Sequence, residues 1–348
     1  MTRPAHTLDS ITTTDELEEA LSRPADCTVA ALGRLQGDLL ILGAGGKMGL
    51  SLSRMAQRAL LAAGAAGKVI AVSRFTSPGK RAEFEAHGIE TISCDLLDRR
   101  AVESLPACDN VVFMTGMKFG SSGQMGLTWA MNCLAPALVA ERFASSRIVA
   151  FSTGNVYGLT PVAIGGSREG DAPRPVGEYA MSCLGRERVF EYFSSVHGTR
   201  AAILRLNYAC ELRYGVLVDL AEKVWNGEPI DLSMGHVNVI WQGDANAMAL
   251  AAFDHVATPP LVLNIAGPET PAVRDVCEEF GRLFGKQPTF QGSPAADALL
   301  NDSRRAVGLF GPPRHSVSEL VPAIAKWIQI GGARLGKPTK FESRDGSF

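Results

Sequence analysis

Apolar positions along the chain fall into two alternating periods. Leu39-Leu40-Ile41-Leu42 is a continuous apolar run, and Leu50, Leu52, Met55, Ala56 and Leu60 follow it at helical spacing. Lys68-Val69-Ile70-Ala71-Val72, Thr91-Ile92-Ser93-Cys94 and Asn110-Val111-Val112-Phe113-Met114 are further short runs, each followed by a longer stretch. Short buried runs alternating with helical stretches predict parallel strands joined by crossover helices. The expected fold is α/β, a doubly wound parallel sheet. Before it, Thr12-Thr13-Thr14-Asp15-Glu16-Leu17 reads as a helix start with Thr14 as N-cap, and Leu17, Ala20 and Leu21 give that helix an apolar face. The predicted layout is a helical extension over 1–36, the sheet domain over 37–205, a smaller interleaved region over 206–330 and a polar tail over 331–348. The extension would pack on the domain or serve a dimer contact. The tail would hang free or wrap a partner.

Between the first run and its helix stands Gly43-Ala44-Gly45-Gly46-Lys47-Met48-Gly49. Glycines at a strand-to-helix turn let the backbone approach a pyrophosphate, and the helix N-terminus adds free N–H groups and a positive dipole end. Gly43, Gly46, Lys47, Met48 and Gly49 are therefore candidate dinucleotide-binding residues. In such folds an acid at the end of the second strand holds the ribose of NAD. Ser73-Arg74 stands there instead, with Lys80 and Arg81 following. A guanidinium can receive a 2′-phosphate, so NADP is favoured slightly over NAD. The plainer reading of Arg74 is a solvated loop charge.

Composition removes several classes. A net charge of −2 leaves no basic footprint for nucleic acid. No apolar run reaches the roughly 18 residues that span a membrane, and Met1 to Ser10 lacks the apolar core of a secretion signal. Seven cysteines, an odd number without C-x-x-C pairs, fit a reducing cytoplasm and free thiols. No metal is expected.

The spacing Gly43-x-x-Gly46-x-x-Gly49 resembles the short-chain dehydrogenase/reductase superfamily in its extended, NAD-dependent epimerase/dehydratase branch. Phe151-Ser152-Thr153-Gly154-Asn155-Val156-Tyr157-Gly158 is the strongest local match. The resemblance spans about residues 38–330. It implies a Rossmann fold and a hydride exchanged between NAD(P) and a secondary carbinol of a sugar-like substrate. Thr153 would hold the substrate oxygen and Tyr179 would move its proton. Asp95 and Leu96 would touch the adenine, with Asp95 or Asp98 as a helix cap the plainer reading. Thr115, Gly116, Tyr179 and Asn207 would complete the cofactor site. Lys118, in Gly116-Met117-Lys118-Phe119-Gly120, and Gly154, Asn155, Tyr208 and His236 would meet the substrate, with Arg213 a candidate for a pyrophosphate. Asn132, on a helix from Trp129 to Phe143, would steady the site, and Arg205 would pair with an acid near the sheet. A helix from Thr270 to Leu283 would be capped by Thr270. Members of this branch pair through two helices, so a homodimer is expected, with Ala135, Leu138, Val139 and Phe143 as apolar contact positions.

One departure matters. The family pattern is Tyr-x-x-x-Lys, but four residues after Tyr179 stands Cys183. An ammonium there would favour the phenolate of a hydroxyl whose ordinary pKa is about 10. Three readings stay open: Lys118 or Arg186 supplies the charge, the reaction does without a strong base, or the chain is a non-catalytic dinucleotide-binding protein. Cys183 itself is weakly suggested as a reactive thiol by its place near a helix start.

Overall fold

The computed structural model describes residues 7–118 and 123–346; Phe119 and Gly120 of the lysine segment lie outside them, as do residues 1–6 and 347–348. Seven strands form one sheet: β1 (Leu39–Leu42), β2 (Val69–Ser73), β3 (Glu90–Ser93), β4 (Asn110–Phe113), β5 (Arg147–Thr153), β6 (Arg200–Leu206) and β7 (Leu261–Ile265). Their order is β7-β6-β5-β4-β1-β2-β3, and every pairing is parallel. The chain reverses its direction of winding between β1 and β4, which opens a crevice at the carboxyl ends of the strands. The expected doubly wound α/β sheet is present.

Helices α1 (Thr14–Leu21) and α2 (Asp26–Gly33) precede the sheet. Thr13, not Thr14, is the N-cap of α1: its hydroxyl accepts from Glu16 N while the Glu16 carboxylate takes Thr13 N. That reciprocal box satisfies two end donors at once, so the cap shifts one residue back. Helices α3 (Gly49–Ala62), α4 (Lys80–Glu85), α5 (Arg99–Glu103), α6 (Met125–Trp129), α7 (Ala135–Arg142) and α8 (Gly177–His197) cover the sheet's first half. Between α6 and α7 the helix widens to π geometry over Ala130–Leu134. Then come α9 (Val216–Asn226), α10 (Gln242–Ala251), α11 (Val273–Phe284), α12 (Arg304–Phe310) and α13 (Val317–Gln329). The N-cap of α11 is Ala272, without a side-chain bond, rather than Thr270.

Apolar side chains pack in a layer on each face of the sheet. A third core lies in the C-terminal region, and Leu8, Ile11, Leu17 and Leu21 of the N-terminal extension belong to it. The extension thus packs on its own chain. Strand β7 returns from the C-terminal region to the sheet, which interleaves the two parts. Under β5, β6 and α8 lies a buried ion pair in which Arg205 donates to Glu187 (2.7 Å), with Ser152 Oγ and Tyr157 OH bonded into it. Its hydrogen bonds offset the desolvation of both charges. Arg205 has the structural role expected of it.

The final segment does not hang free over its described part. Arg334 donates to Glu222 (2.7 Å), Asp219 accepts from Thr339 N (2.7 Å) and Oγ1 (2.5 Å), Phe341 is fully buried, and Arg344 pairs with Asp297. Residues 334–346 form a strap across the C-terminal region. The apolar anchor is a single phenylalanine, which a polar composition hides.

Candidate active site

The turn from β1 to α3 is held by close backbone approach. Gly43 has φ of +89° and Val72 O accepts from both Gly43 N (2.9 Å) and Ala44 N (3.0 Å). A side chain at Gly43 would press on Thr115 N at 2.8 Å, and one at Gly49 would run into the Ala44 carbonyl. Gly46 differs: its Cβ would meet nothing nearer than Gly43 O at 3.5 Å, and its open side faces the crevice. Met48, the N-cap of α3, makes no side-chain cap bond, so the end of this 14-residue helix faces the crevice uncapped.

A cavity of about 260 Å³ runs from this turn past Ser73, Arg74, Cys94, Asp95, Leu96, Thr115 and Gly116. Arg74 stands exposed at its rim. The two acids considered as caps divide the work: Asp98 Oδ1 accepts from Arg100 N (2.9 Å) and Ala101 N to cap α5, while Asp95 lines the cavity and accepts from the nearby Leu97 N (3.0 Å). Thr115 Oγ1 is buried with no hydrogen-bond partner among the described residues. An open glycine cradle, an uncapped helix end and an orphaned hydroxyl suit a dinucleotide.

Gly46, Met114 and Gly116 also line a second cavity, of about 330 Å³. Its walls bring together Lys118, Thr153, Asn155, Tyr179, Arg186 and Tyr208. Thr153 closes β5; its hydroxyl donates to Asn155 Oδ1 (3.0 Å) and hydrogen-bonds Tyr179. Tyr179, Cys183 and Arg186 share one face of α8, at i, i+4 and i+7. Burial pushes the Tyr179 hydroxyl far above its ordinary pKa and Cys183 adds to that, whereas Arg186 and the Thr153 bond pull it down. Cys183 is fully buried against Val156 and Tyr157, and burial raises its thiol pKa, so it is neutral packing rather than a reactive thiolate.

Two cations flank the tyrosine. Arg186 donates Nη1 to Phe151 O (2.8 Å) and Nη2 to Asn132 Oδ1 (2.5 Å), which fixes the guanidinium beside Gly116. Asn132 also accepts from Met117 N (3.0 Å) and donates to Met117 O (3.1 Å) and Ser182 Oγ (2.9 Å). It lies on the π-helical turn, a common device at functional sites, and it clamps the residue before Lys118. Lys118 Nζ lies 5.8 Å from the Tyr179 ring centroid and donates to Thr339 O (3.4 Å). Burial lowers its pKa to about 8.

Not every candidate reaches the cavities. Gly154 packs beneath Asn301, and Asn207 donates to Asn238 Oδ1 (2.6 Å) in a buried amide network behind the wall. His236 lies outside both linings. Arg213 is bound to Glu18 (2.7 Å) and Glu211 (2.9 Å), so it is engaged within the fold rather than held for a pyrophosphate. Lining residues that the sequence reading did not single out include Tyr214, Gln242 and Thr339. Lys47 Nζ sits 3.1 Å from the Tyr214 ring centroid. Tyr214 and Thr339 stand in no motif; only the folding of the second half onto the glycine turn brings them there.

Residues 39–210 match the NAD dependent epimerase/dehydratase family. No curated protein sequence matches the chain. Among solved structures, MoeE5 in complex with UDP-glucuronic acid and NAD is similar with a TM-score of 0.68 at 23% identity, over 85% of this chain and all of that one. The UDP-glucose 4-epimerase of Thermotoga maritima with UDP-glucose gives 0.69 at 18% identity, over 84% and 98%. The UDP-glucuronic acid 4-epimerase of Bacillus cereus with UDP-glucuronic acid and NAD gives 0.67 at 19%, over 84% and 99%.

Proposed function

We propose that this chain, in which residues 39–210 belong to the NAD dependent epimerase/dehydratase family, binds a nicotinamide dinucleotide and exchanges a hydride with a secondary carbinol of a sugar-like substrate. The observation that carries the reading is the shared wall. Gly46, Met114 and Gly116 line both cavities, so the phosphate turn opens directly onto the Thr153–Tyr179 pair. Gly43, Gly46, Gly49 and the start of α3 would hold the pyrophosphate; Ser73, Asp95 and Leu96 would hold the adenosine half. The bound nicotinamide would supply the hydride acceptor. Thr153 orients the substrate oxygen through its hydroxyl. Tyr179 carries the proton at its phenol oxygen, and the charges of Arg186 and Lys118 lower the cost of moving it. Purified protein with NAD or NADP, scanned for nicotinamide reduction over a panel of sugars and polyols, tests the reading. A panel without turnover, despite tight cofactor binding, favours the second reading.

That second reading is a non-catalytic dinucleotide-binding protein. The buried, neutral Cys183 at the family's lysine position favours it, because Tyr179 there meets a group that raises its pKa. It forecasts that Cys183→Lys alone creates oxidoreductase activity where the wild type has none.

The preference for NADP rests on Arg74 at the end of β2, exposed on the cavity rim without a neighbouring acid in the lining beyond Asp95. Arg74→Ala is expected to weaken NADP binding about tenfold, the worth of one exposed charge-assisted contact, and to leave NAD unchanged. Titration of both forms with both cofactors decides it; tighter wild-type binding of NAD removes the argument.

A homodimer is part of the same reading, but not through the residues named from sequence. Ala135, Leu138, Val139 and Phe143 are buried in the chain's own core, because that stripe of α7 faces the sheet. Exposed apolar side chains include Met125, Leu127 and Trp129 on α6, Leu134 on the π-helical turn, and Met181, Tyr192 and Val196 on α8. These adjacent helices form an apolar surface suited to a four-helix contact. Light scattering should give a dimer at micromolar concentration, and Leu134→Glu with Met181→Glu should shift it to monomer. A wild-type monomer sinks the claim. The seven free cysteines fit a reducing, cytoplasmic setting. Among the described residues no helix is long and apolar enough to cross a membrane.

A further inference from the structure

The second cavity is unusual in its charge. Lys47, Lys118 and Arg186 all line it, and no aspartate or glutamate stands among its described lining residues. Arg186 is committed to Phe151 O and Asn132, so it supplies field rather than a movable contact. The two lysines come from different elements, the turn after β1 and the segment after β4, and both line the cavity. Lys47 lies over Tyr214 and Lys118 over Tyr179. The strap places two more cations, the exposed Lys337 and Lys340, on either side of Thr339, itself a wall residue. The nearest acids are engaged behind the wall: Asp219 with Thr339, and Glu211 with Arg213.

Size points the same way as charge. About 330 Å³ is near the lower end of ligand pockets, which run from about 300 to 1,000 Å³. This volume must take the nicotinamide end as well as the substrate. The strap is pinned by Asp219 at Thr339, by the buried Phe341 and by the Arg344–Asp297 pair. Through Thr339 it forms part of the wall of the cavity and so bounds the space beside the reacting centre.

Resting on the dinucleotide reading above, we infer that the substrate is a small polyhydroxylated acid, its single anionic group held between Lys47 and Lys118, and not a nucleotide-linked sugar. Crowding and burial make the pair responsive to such an anion. Burial lowers Lys47 to about 7, helped by Lys337 and Lys118, and lowers Lys118 to about 8. A bound carboxylate or phosphate offsets both costs at once. Tyr208, whose hydroxyl is buried with no partner among the described residues, is placed to bond the substrate's hydroxyls.

The experiment uses the full chain saturated with its dinucleotide. Titration calorimetry first establishes that NAD or NADP binds; failure there removes the parent reading. The saturated protein is then titrated with four- to six-carbon aldonates, with the corresponding sugar phosphates, with the neutral parent sugars and with UDP-glucose. At least one aldonate or sugar phosphate is expected to bind tenfold or more tightly than its neutral parent and than UDP-glucose. The aldonate and phosphate arms tell a carboxylate from a phosphate. Lys47→Met should weaken that ligand tenfold or more, and where turnover is measurable should raise KM with little change in kcat. UDP-glucose or a neutral sugar binding best, no acid binding at all, or unchanged acid affinity in Lys47→Met each overturns the inference.

Discussion

Gly46→Val should fold normally and lose dinucleotide affinity by on the order of 10²-fold or more, about 2.8 kcal/mol. The position is unusual within its own motif. A Cβ there has room, since Gly43 O at 3.5 Å is ordinary contact, and Gly46 does not have the positive φ that strains a side chain. The added bulk therefore costs the fold little and occupies the space where the backbone must approach a pyrophosphate. Its neighbours cannot separate the two effects. Gly43→Ala would combine a positive φ with contact on Thr115 N, and Gly49→Ala would collide with the Ala44 carbonyl, so both should destabilise the turn. The check is a melting temperature close to wild type together with calorimetric titration of NAD and NADP. Unchanged affinity in a folded Gly46→Val would show that no pyrophosphate lies on this turn.

Lys118→Met should cost on the order of 10²-fold or more in kcat if its ammonium supports the Tyr179 proton transfer, while Cys183→Ala should cost far less. The charge matters because burial and Cys183 both push Tyr179 away from ionisation. The same substitution should stabilise the protein. The folded pKa of Lys118, about 8, lies below the ordinary 10.5. Between those values the unfolded chain binds the extra proton, so stability rises with pH through that window. Below pH 8 the burial cost is present in full, at most about 3 kcal/mol. Met keeps the length and removes the charge. Lys118→Met is therefore expected to melt higher at pH 7, with the advantage fading as pH rises from about 8 to above 10. In the folded chain the supporting ammonium is lost around pH 8, so wild-type kcat should fall through that pH and the variant should lack that limb. A fully active Lys118→Met rejects the role. In the catalytic reading Cys183→Lys is tolerated or raises turnover, by restoring charge on the tyrosine's own helix.

The alternation of apolar runs and helical stretches by itself determined the parallel sheet, because buried parallel strands leave a pattern of short continuous apolar runs that survives any change of neighbours. The positions of the glycine turn before α3, of Thr153 at the end of β5 and of Tyr179 at the start of α8 were legible too, since each sits at a fixed offset from a strand end or helix start. Arg205 could be read as structural because a charge within an apolar strand needs a buried partner, and Glu187 is that partner. Most of what failed from sequence failed because contacts across long separations carry no local signature. Thr13 against Thr14 was instead a local matter, decided by the two reciprocal hydrogen bonds between Thr13 and Glu16. Asn207 had a motif position that suggested a ligand and Arg213 was a candidate for one, but a buried amide network claims the first, and the distant Glu18 together with the adjacent Glu211 claims the second. The stripe named as a dimer surface is apolar because it faces the sheet, and periodicity cannot say which neighbour an apolar stripe meets. Only the tertiary structure decided that Lys47 and Lys118 enter one cavity, that Tyr214 and Thr339 close it, and that a polar C-terminal segment is strapped down by one buried phenylalanine. Those residues are more than 200 positions apart at the extremes, and folding alone makes them neighbours.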